Sequence, residues 1–179
     1  GSTVKIMTCL LALENTQLTD EVTMTATGVS GVTDGGASIS SQVDEVFTVE
    51  QCLYAIMVAS ANDIALQIAE HVGGSVDGFV QQMNTRAQKL GCTNTVFTNP
   101  TGLPDDNQHT TAHDMALIMQ AAIQNESFRT IAAATSYTIP ATNKAAARNL
   151  TSKFTMTDTG STGFYEGCIG GKEGYTEAS

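Results

Sequence analysis

Ser2 and Lys5 stand three residues apart at the head of an apolar stretch with helical periodicity. At that spacing two side chains share one helix face, about one turn apart, and can hydrogen-bond. A serine hydroxyl is a weak nucleophile until a base takes its proton, and a neutral lysine amine is such a base. Lysine ordinarily keeps its proton up to a pKa of about 10.4, so burial or a nearby cation must favour the neutral form. Lys172, followed by Glu173 and Gly174, is the candidate cation. At a helix start, the backbone N–H of Ser2 would also face a developing oxyanion. Ser60-Ala61-Asn62 adds a hydroxyl and an amide that both donates and accepts. Together these groups could carry covalent nucleophilic catalysis. Each has a plainer reading. Ser2 could be only a helix N-cap with Lys5 solvated, and Ser60 with Asp63 is itself a capping-box pattern.

The elements that must position these groups follow from periodicity and punctuation. Ile6, Leu10, Leu11 and Leu13 recur at helical spacing behind Ser2. Residues 20–47 read as irregular or short extended chain, interrupted by Gly31, Gly35 and Gly36. No GK[ST] follows those glycines into a helix, so they are a loop near the site and not a phosphate cradle. Thr48 with Gln51 predicts a capped helix carrying Val49, Leu53, Ile56 and Met57 and stopping near Ala59. A second helix follows Ser60 with Ile64, Ile68, Ala69 and Val72 on one face, ending at Gly73-Gly74. Ser75 opens a third, through Phe79, Val80, Met83 and Leu90 to Gly91. Residues 92–109 are turn-rich. Thr111 with Asp114 predicts a helix to about Ile123, Phe128 to Ala133 a shorter one, Tyr137 to Ile139 a strand, and Phe164 to Gly171 a strand leading to Lys172. The fold class is α+β, rich in helix.

Bulk properties narrow the partners. A chain of 179 residues is one domain by prior, able to bury about 70% of its unfolded surface. Eighteen acidic against eight basic residues give a formal net charge of −10, which repels phosphates and argues against nucleic acid or a polybasic membrane patch. No apolar run reaches the roughly 18 residues of a membrane helix. Cys9, Cys52, Cys92 and Cys168 lack metal-like spacing and read as buried structural thiols, with one disulfide as the alternative. His109 and His113 have a metal-compatible spacing without a third ligand.

The three ordered motifs, with Lys5-Ile6-Met7-Thr8, Thr48-Val49-Glu50-Gln51, Ala69-Glu70-His71-Val72-Gly73-Gly74, Asn99-Pro100-Thr101-Gly102-Leu103-Pro104 and Gly171-Lys172-Glu173-Gly174-Tyr175-Thr176, resemble the serine-type D-alanyl-D-alanine carboxypeptidases. These are the low-molecular-mass penicillin-binding proteins, and the resemblance runs the length of the chain. It implies a β-lactamase/transpeptidase-like domain over residues 1–179, with helices packed on an antiparallel sheet. It implies an acyl-enzyme on Ser2, Lys5 as base, Ser60 relaying a proton to the leaving amine, and Asn62 holding the lysine and the substrate amide. Substrate binding would fall to Lys172, Glu173, Gly174 and Tyr175, whose N–H would be an oxyanion donor. The implied partners are peptidoglycan stem peptides ending in D-Ala-D-Ala and β-lactam inhibitors, with no cofactor. The implied location is the bacterial cell envelope, outside the cytoplasm, with export signal and membrane anchor in segments other than this one.

Two departures from the family pattern stand out. The family's third motif is Lys-Thr-Gly on an edge strand, where lysine and threonine hold the substrate carboxylate; here Glu173 replaces the threonine. Two like charges about 4 Å apart cost roughly 1–4 kcal/mol at effective dielectrics of 80 to 20. Glu173 could point away, pair with Lys172, or signal a different substrate. Relatives also carry strands before the first motif and after the third, so a domain incomplete at both ends is expected. A non-catalytic cell-wall-binding relative is therefore the alternative to the carboxypeptidase. A β-lactamase is a third reading, disfavoured because the text beyond residue 75 resembles carboxypeptidases.

Overall fold

The computed structural model describes residues 1–32 and 36–177. Gly35, one of the loop glycines, lies outside the described residues. After a 3-10 turn at Ser2–Val4, helix α1 (Lys5–Asn15) has every residue from Lys5 to Ala12 buried. A helix buried on all its faces belongs at the centre of a domain. Around it pack α3 (Val49–Val58), α4 (Asn62–Gly73), α5 (Val76–Lys89), α6 (Ala112–Ala122) and α7 (Glu126–Ala132). Their sequences dictate their ends. Thr48 and Gln51 form the full capping box of α3. Gly74 closes α4 in the left-handed conformation at φ 72°, which costs glycine little. The side chains of Ser75 and Thr111 cap α5 and α6.

Strands are few and short. β1 (Glu21–Thr23) pairs antiparallel with β2 (Val46–Thr48), placing Val22 opposite Phe47, both buried. β3 (Ser136–Ile139) pairs antiparallel with β4 (Arg148–Thr151), placing Tyr137 opposite Leu150. Tyr137 stacks on Tyr54 of α3 with ring centroids 3.9 Å apart, fastening this hairpin to the helical body. The α+β class holds, with the sheet content divided between two antiparallel pairs. Within residues 20–47 a short helix, α2 (Ala26–Ser30), was not anticipated; Thr25 caps it and Thr27 ties it to Glu70 of α4.

The strand expected over Phe164–Gly171 is not there. Residues 161–176 are turns and irregular chain, and the third motif is not on a strand. A strand exists through its ladder, and the described residues offer this segment none. Left-handed glycines at Gly167 (φ 87°) and Gly170 (φ 143°) also bend it. The segment is instead held by close packing. The Gly171 N–H donates to the Ala132 carbonyl at 3.1 Å, and a Cβ on Gly171 would collide with the Phe154 ring at 2.4 Å.

A buried charged tie crosses the fold. Glu45, fully buried, accepts two hydrogen bonds from Arg148 of β4, at 2.8 and 3.0 Å, and one from Thr142. Burial alone would push the Glu45 carboxyl up, but the Arg148 guanidinium and Thr142 hydroxyl outweigh it and hold its pKa below the usual 4.5. A depressed carboxylate pKa contributes stability above the unfolded value, and that contribution is lost as pH falls through the folded one. Arg148→Ala leaves the carboxylate buried and unpaired, costing about 3 kcal/mol at neutral pH. Thermal melts are expected to show a Tm roughly 6–12 °C lower at pH 7. The gap should narrow as pH drops below about 4.5.

Candidate active site

Lys5 begins the central helix and is fully buried, yet it is an amine that must be satisfied. It reaches three oxygens: Ser2 Oγ at 3.2 Å, Asn62 Oδ1 at 2.7 Å, and the Thr101 carbonyl. Burial first, and the Lys172 ammonium second, hold its pKa down to about 7. That value decides what the site can do. The Asn62 and Thr101 oxygens can only accept, so a neutral Lys5 spends its two N–H bonds on them. Its lone pair is then left for the third neighbour, the Ser2 hydroxyl, which can donate. In that neutral form the amine is able to accept a proton from the Ser2 hydroxyl.

The loop at Asn99–Gly102 supplies one of those oxygens, and its shape is written in Asn99. The Asn99 side-chain oxygen accepts from Thr101 N–H, Thr101 Oγ1 and Gly102 N–H at 3.2, 2.9 and 2.8 Å. This is an asparagine-nucleated turn, in which the side chain imitates backbone. Thr8, one turn along from Lys5, anchors the loop through Pro100 O at 2.7 Å. Gly102, at φ 82°, lets the loop touch the chain start, because a Cβ there would fall 2.1 Å from Gly1 O.

Asn62 is the first residue of α4, held by its N–H to Ala37 O at 2.7 Å. Its amide nitrogen abuts Gly36, where a Cβ would come within 2.0 Å. With Oδ1 on Lys5, Asn62 also lines the cleft. Ser60 precedes it at φ 59°, a strained conformation for serine that lifts it out of α3 and onto the cleft wall. The expected Ser60–Asp63 capping box does not form. Ala61 is the N-cap, and the buried Asp63 carboxylate accepts from Ser38 and Ser41, fastening the loop that borders the cleft. Ser2 likewise is not an N-cap. Gly1 occupies that position, and Ser2 sits inside the 3-10 turn with its oxygen on Lys5.

The third motif closes the site. Gly174 presses against the Ser2–Val4 turn so tightly that a Cβ would meet Ser2 N at 2.8 Å and Thr3 N at 2.9 Å. Only glycine fits there. Lys172, whose side chain is wholly buried, donates to the Glu173 carbonyl at 2.9 Å and to Glu173 Oε1 at 2.7 Å. Of the three possibilities for Glu173, the coordinates hold the pairing with Lys172. The second carboxylate oxygen is buried with no partner.

Ser2, Ser60, Asn62, Glu173, Gly174 and Tyr175 line one cleft of about 270 Å³. Lys5 and Lys172 lie behind its wall. A larger cavity of about 430 Å³ adjoins it beyond Gly1 and Gly102, lined by Asp105, Asp106 and His109, and none of the candidate catalytic or substrate-binding residues lines it. Sequence reasoning missed the Thr101 carbonyl, because a backbone oxygen has no side-chain signature. The asparagine turn at Asn99 was the available signal. Asp63 was read only as a capping residue. All four cysteines are free thiols. Cys9, one turn beyond Lys5, is driven up to about 12 by burial and is no rival nucleophile at neutral pH. Among the described residues no three His, Cys, Asp or Glu side chains gather for a metal, and no helix is long and apolar enough to cross a membrane.

The fold recurs in solved structures. The DD-transpeptidase of Streptomyces K15 matches with a TM-score of 0.88 and 29% identity, over 99% of this chain and 71% of that one. The D-alanyl-D-alanine carboxypeptidase of Mycobacterium tuberculosis matches with a TM-score of 0.86 and 30% identity, over 99% and 64%. The family model for D-alanyl-D-alanine carboxypeptidases (Peptidase_S11) matches residues 1–179, and the chain belongs to that family. Among curated relatives, D-alanyl-D-alanine carboxypeptidase DacB2 of Mycobacterium tuberculosis is 33% identical over the whole chain. DacF of Bacillus subtilis is 36% identical over 71% of it. The chain spans 58% and 33% of their respective lengths.

Proposed function

We propose that this chain carries the acylation machinery of a serine-type D-Ala-D-Ala carboxypeptidase that trims peptidoglycan stem peptides in the bacterial envelope. The observation that carries the reading is the Lys5 amine. It is buried, held near pKa 7, and arranged so that its neutral form must accept the Ser2 proton. In the reaction Ser2 Oγ attacks the carbonyl of the penultimate D-alanine and its proton passes to Lys5. The backbone N–H groups of Ser2 and Tyr175 receive the oxyanion. The C–N bond breaks as the amine is protonated by way of Ser60, and D-alanine leaves. Water then hydrolyses the ester. A β-lactam acylates Ser2 the same way, but its leaving nitrogen stays tethered.

Incubation with labelled penicillin, followed by peptide mass spectrometry, is expected to give one adduct on Ser2. A folded protein that yields no adduct would refute the proposal. A second reading is favoured by one observation, the Glu173 carboxylate occupying Lys172. It is a wall-binding relative that holds muropeptides without turning them over, and it predicts binding without any adduct.

A further inference from the structure

Among the described residues the cleft wall carries two charged side chains, Glu173 and Lys153, of opposite sign. Lys172 cannot greet an incoming anion as it stands. Its ammonium is wholly shielded and already engaged by the Glu173 carbonyl and carboxylate. Lys153 is the converse case. It is exposed, lines the cleft two residues beyond Thr151, and among the described residues forms no ion pair.

Its backbone is nevertheless fixed on both sides. The Ser152 N–H donates to Thr135 O at 2.8 Å, continuing the β3–β4 ladder, and the Phe154 N–H donates to Ser152 Oγ at 3.1 Å. Phe154 itself packs under Gly171. A lysine with an anchored root and an unpaired head is a point charge waiting for an anion. In a chain of net charge −10 such a cation on the cleft wall is not incidental. Thr151 adds a hydroxyl to the same wall.

We propose that Lys153 is the residue that holds the carboxylate of the acylating substrate, the task Lys172 is kept from by Glu173. This rests on the acyl-transfer reading above. The ligand class is a peptide with a free C-terminal carboxylate, or a β-lactam bearing the equivalent group. Lys153 touches the substrate away from the scissile bond, so it sets specificity and takes no part in proton transfer.

The test compares acylation of Ser2 by a penicillin and by the methyl ester of the same penicillin, followed by mass spectrometry. A charge-assisted hydrogen bond lost from a carboxylate corresponds to roughly a tenfold to hundredfold change. Lys153→Ala is expected to slow labelling by the acid about tenfold and leave the ester unchanged, and Lys153→Arg is expected to restore most of the acid's advantage. An unchanged acid-to-ester ratio in Lys153→Ala, with both adducts forming, overturns this assignment alone. No adduct with either probe in the wild-type protein overturns the acyl-transfer reading, and this inference with it.

Discussion

Lys5→Met is expected to slow acylation of Ser2 by about 10²–10⁴-fold, the range a positioned general base contributes. Methionine keeps the length and the apolar shaft that α1 buries, so the helix survives while the proton acceptor disappears. The pH profile separates a catalytic effect from a packing one. With its pKa near 7, wild-type Lys5 is protonated below that value and neutral above it. The acylation rate should therefore rise with pH through about 7 and then level, and the variant should show no such rise. Stability has a matching sign. A lysine whose folded pKa is depressed leaves the folded state with fewer protons than the unfolded one between about pH 7 and 10.5. The stability difference between wild type and Lys5→Met should move in favour of wild type as pH climbs across that window. Chemical denaturation at several pH values measures it. A flat difference, or a variant that labels as fast as wild type, rules Lys5 out as the base.

Glu173→Thr is expected to act in the opposite direction and raise the rate of acylation by carboxylate-bearing substrates tenfold to thousandfold. Four contributions point the same way. Removing a carboxylate from the cleft wall lifts a repulsion of roughly 1–4 kcal/mol against a substrate carboxylate. The same change frees the Lys172 ammonium from the 2.7 Å pairing that now occupies it. It also removes an anion that works to keep Lys5 protonated. A hydroxyl at position 173 can donate to the substrate where a carboxylate cannot. The measurement is the second-order rate of penicillin labelling for both proteins under one buffer. If the variant gains nothing, Glu173 is not what restrains the site, and the wall-binding reading becomes the stronger one.

Much of the scaffold was legible because its helices are punctuated by chemistry. Thr48, Ser75 and Thr111 each cap the helix they were expected to open, and Gly74 and Gly91 each turn left-handed where a helix had to stop. The same grammar misled at Ser2 and Ser60. Both have the residue type of a cap, and both are drawn away from that work: Ser2 by the Lys5 amine, Ser60 by a backbone at positive φ. Helix α2 was missed because it is a bare five residues long, and its N-cap Thr25 and its Thr27 are held by Gln67 and Glu70 of α4, some forty positions distant. The strand proposed before Lys172 followed from composition, which cannot report whether a neighbouring strand is present to bond with. At the candidate site, residue type and order singled out Ser2, Lys5, Ser60, Asn62 and Gly174, and the structure brings those five to one place. The Thr101 carbonyl, the clasp of Glu173 on Lys172 and the exposed head of Lys153 depend on three-dimensional placement alone.

The amine at the centre of this site takes its partners from positions 2, 62 and 101, separated by up to 96 residues of chain. Nothing short of the assembled domain brings those three oxygens together or strips the water from around Lys5. A partly folded molecule therefore carries an ordinary, inert serine beside an ordinary, charged lysine. On the proposed acyl-transfer reading, reactivity and nativeness become one event, and a penicillin that marks Ser2 would be at once a census of correctly folded molecules.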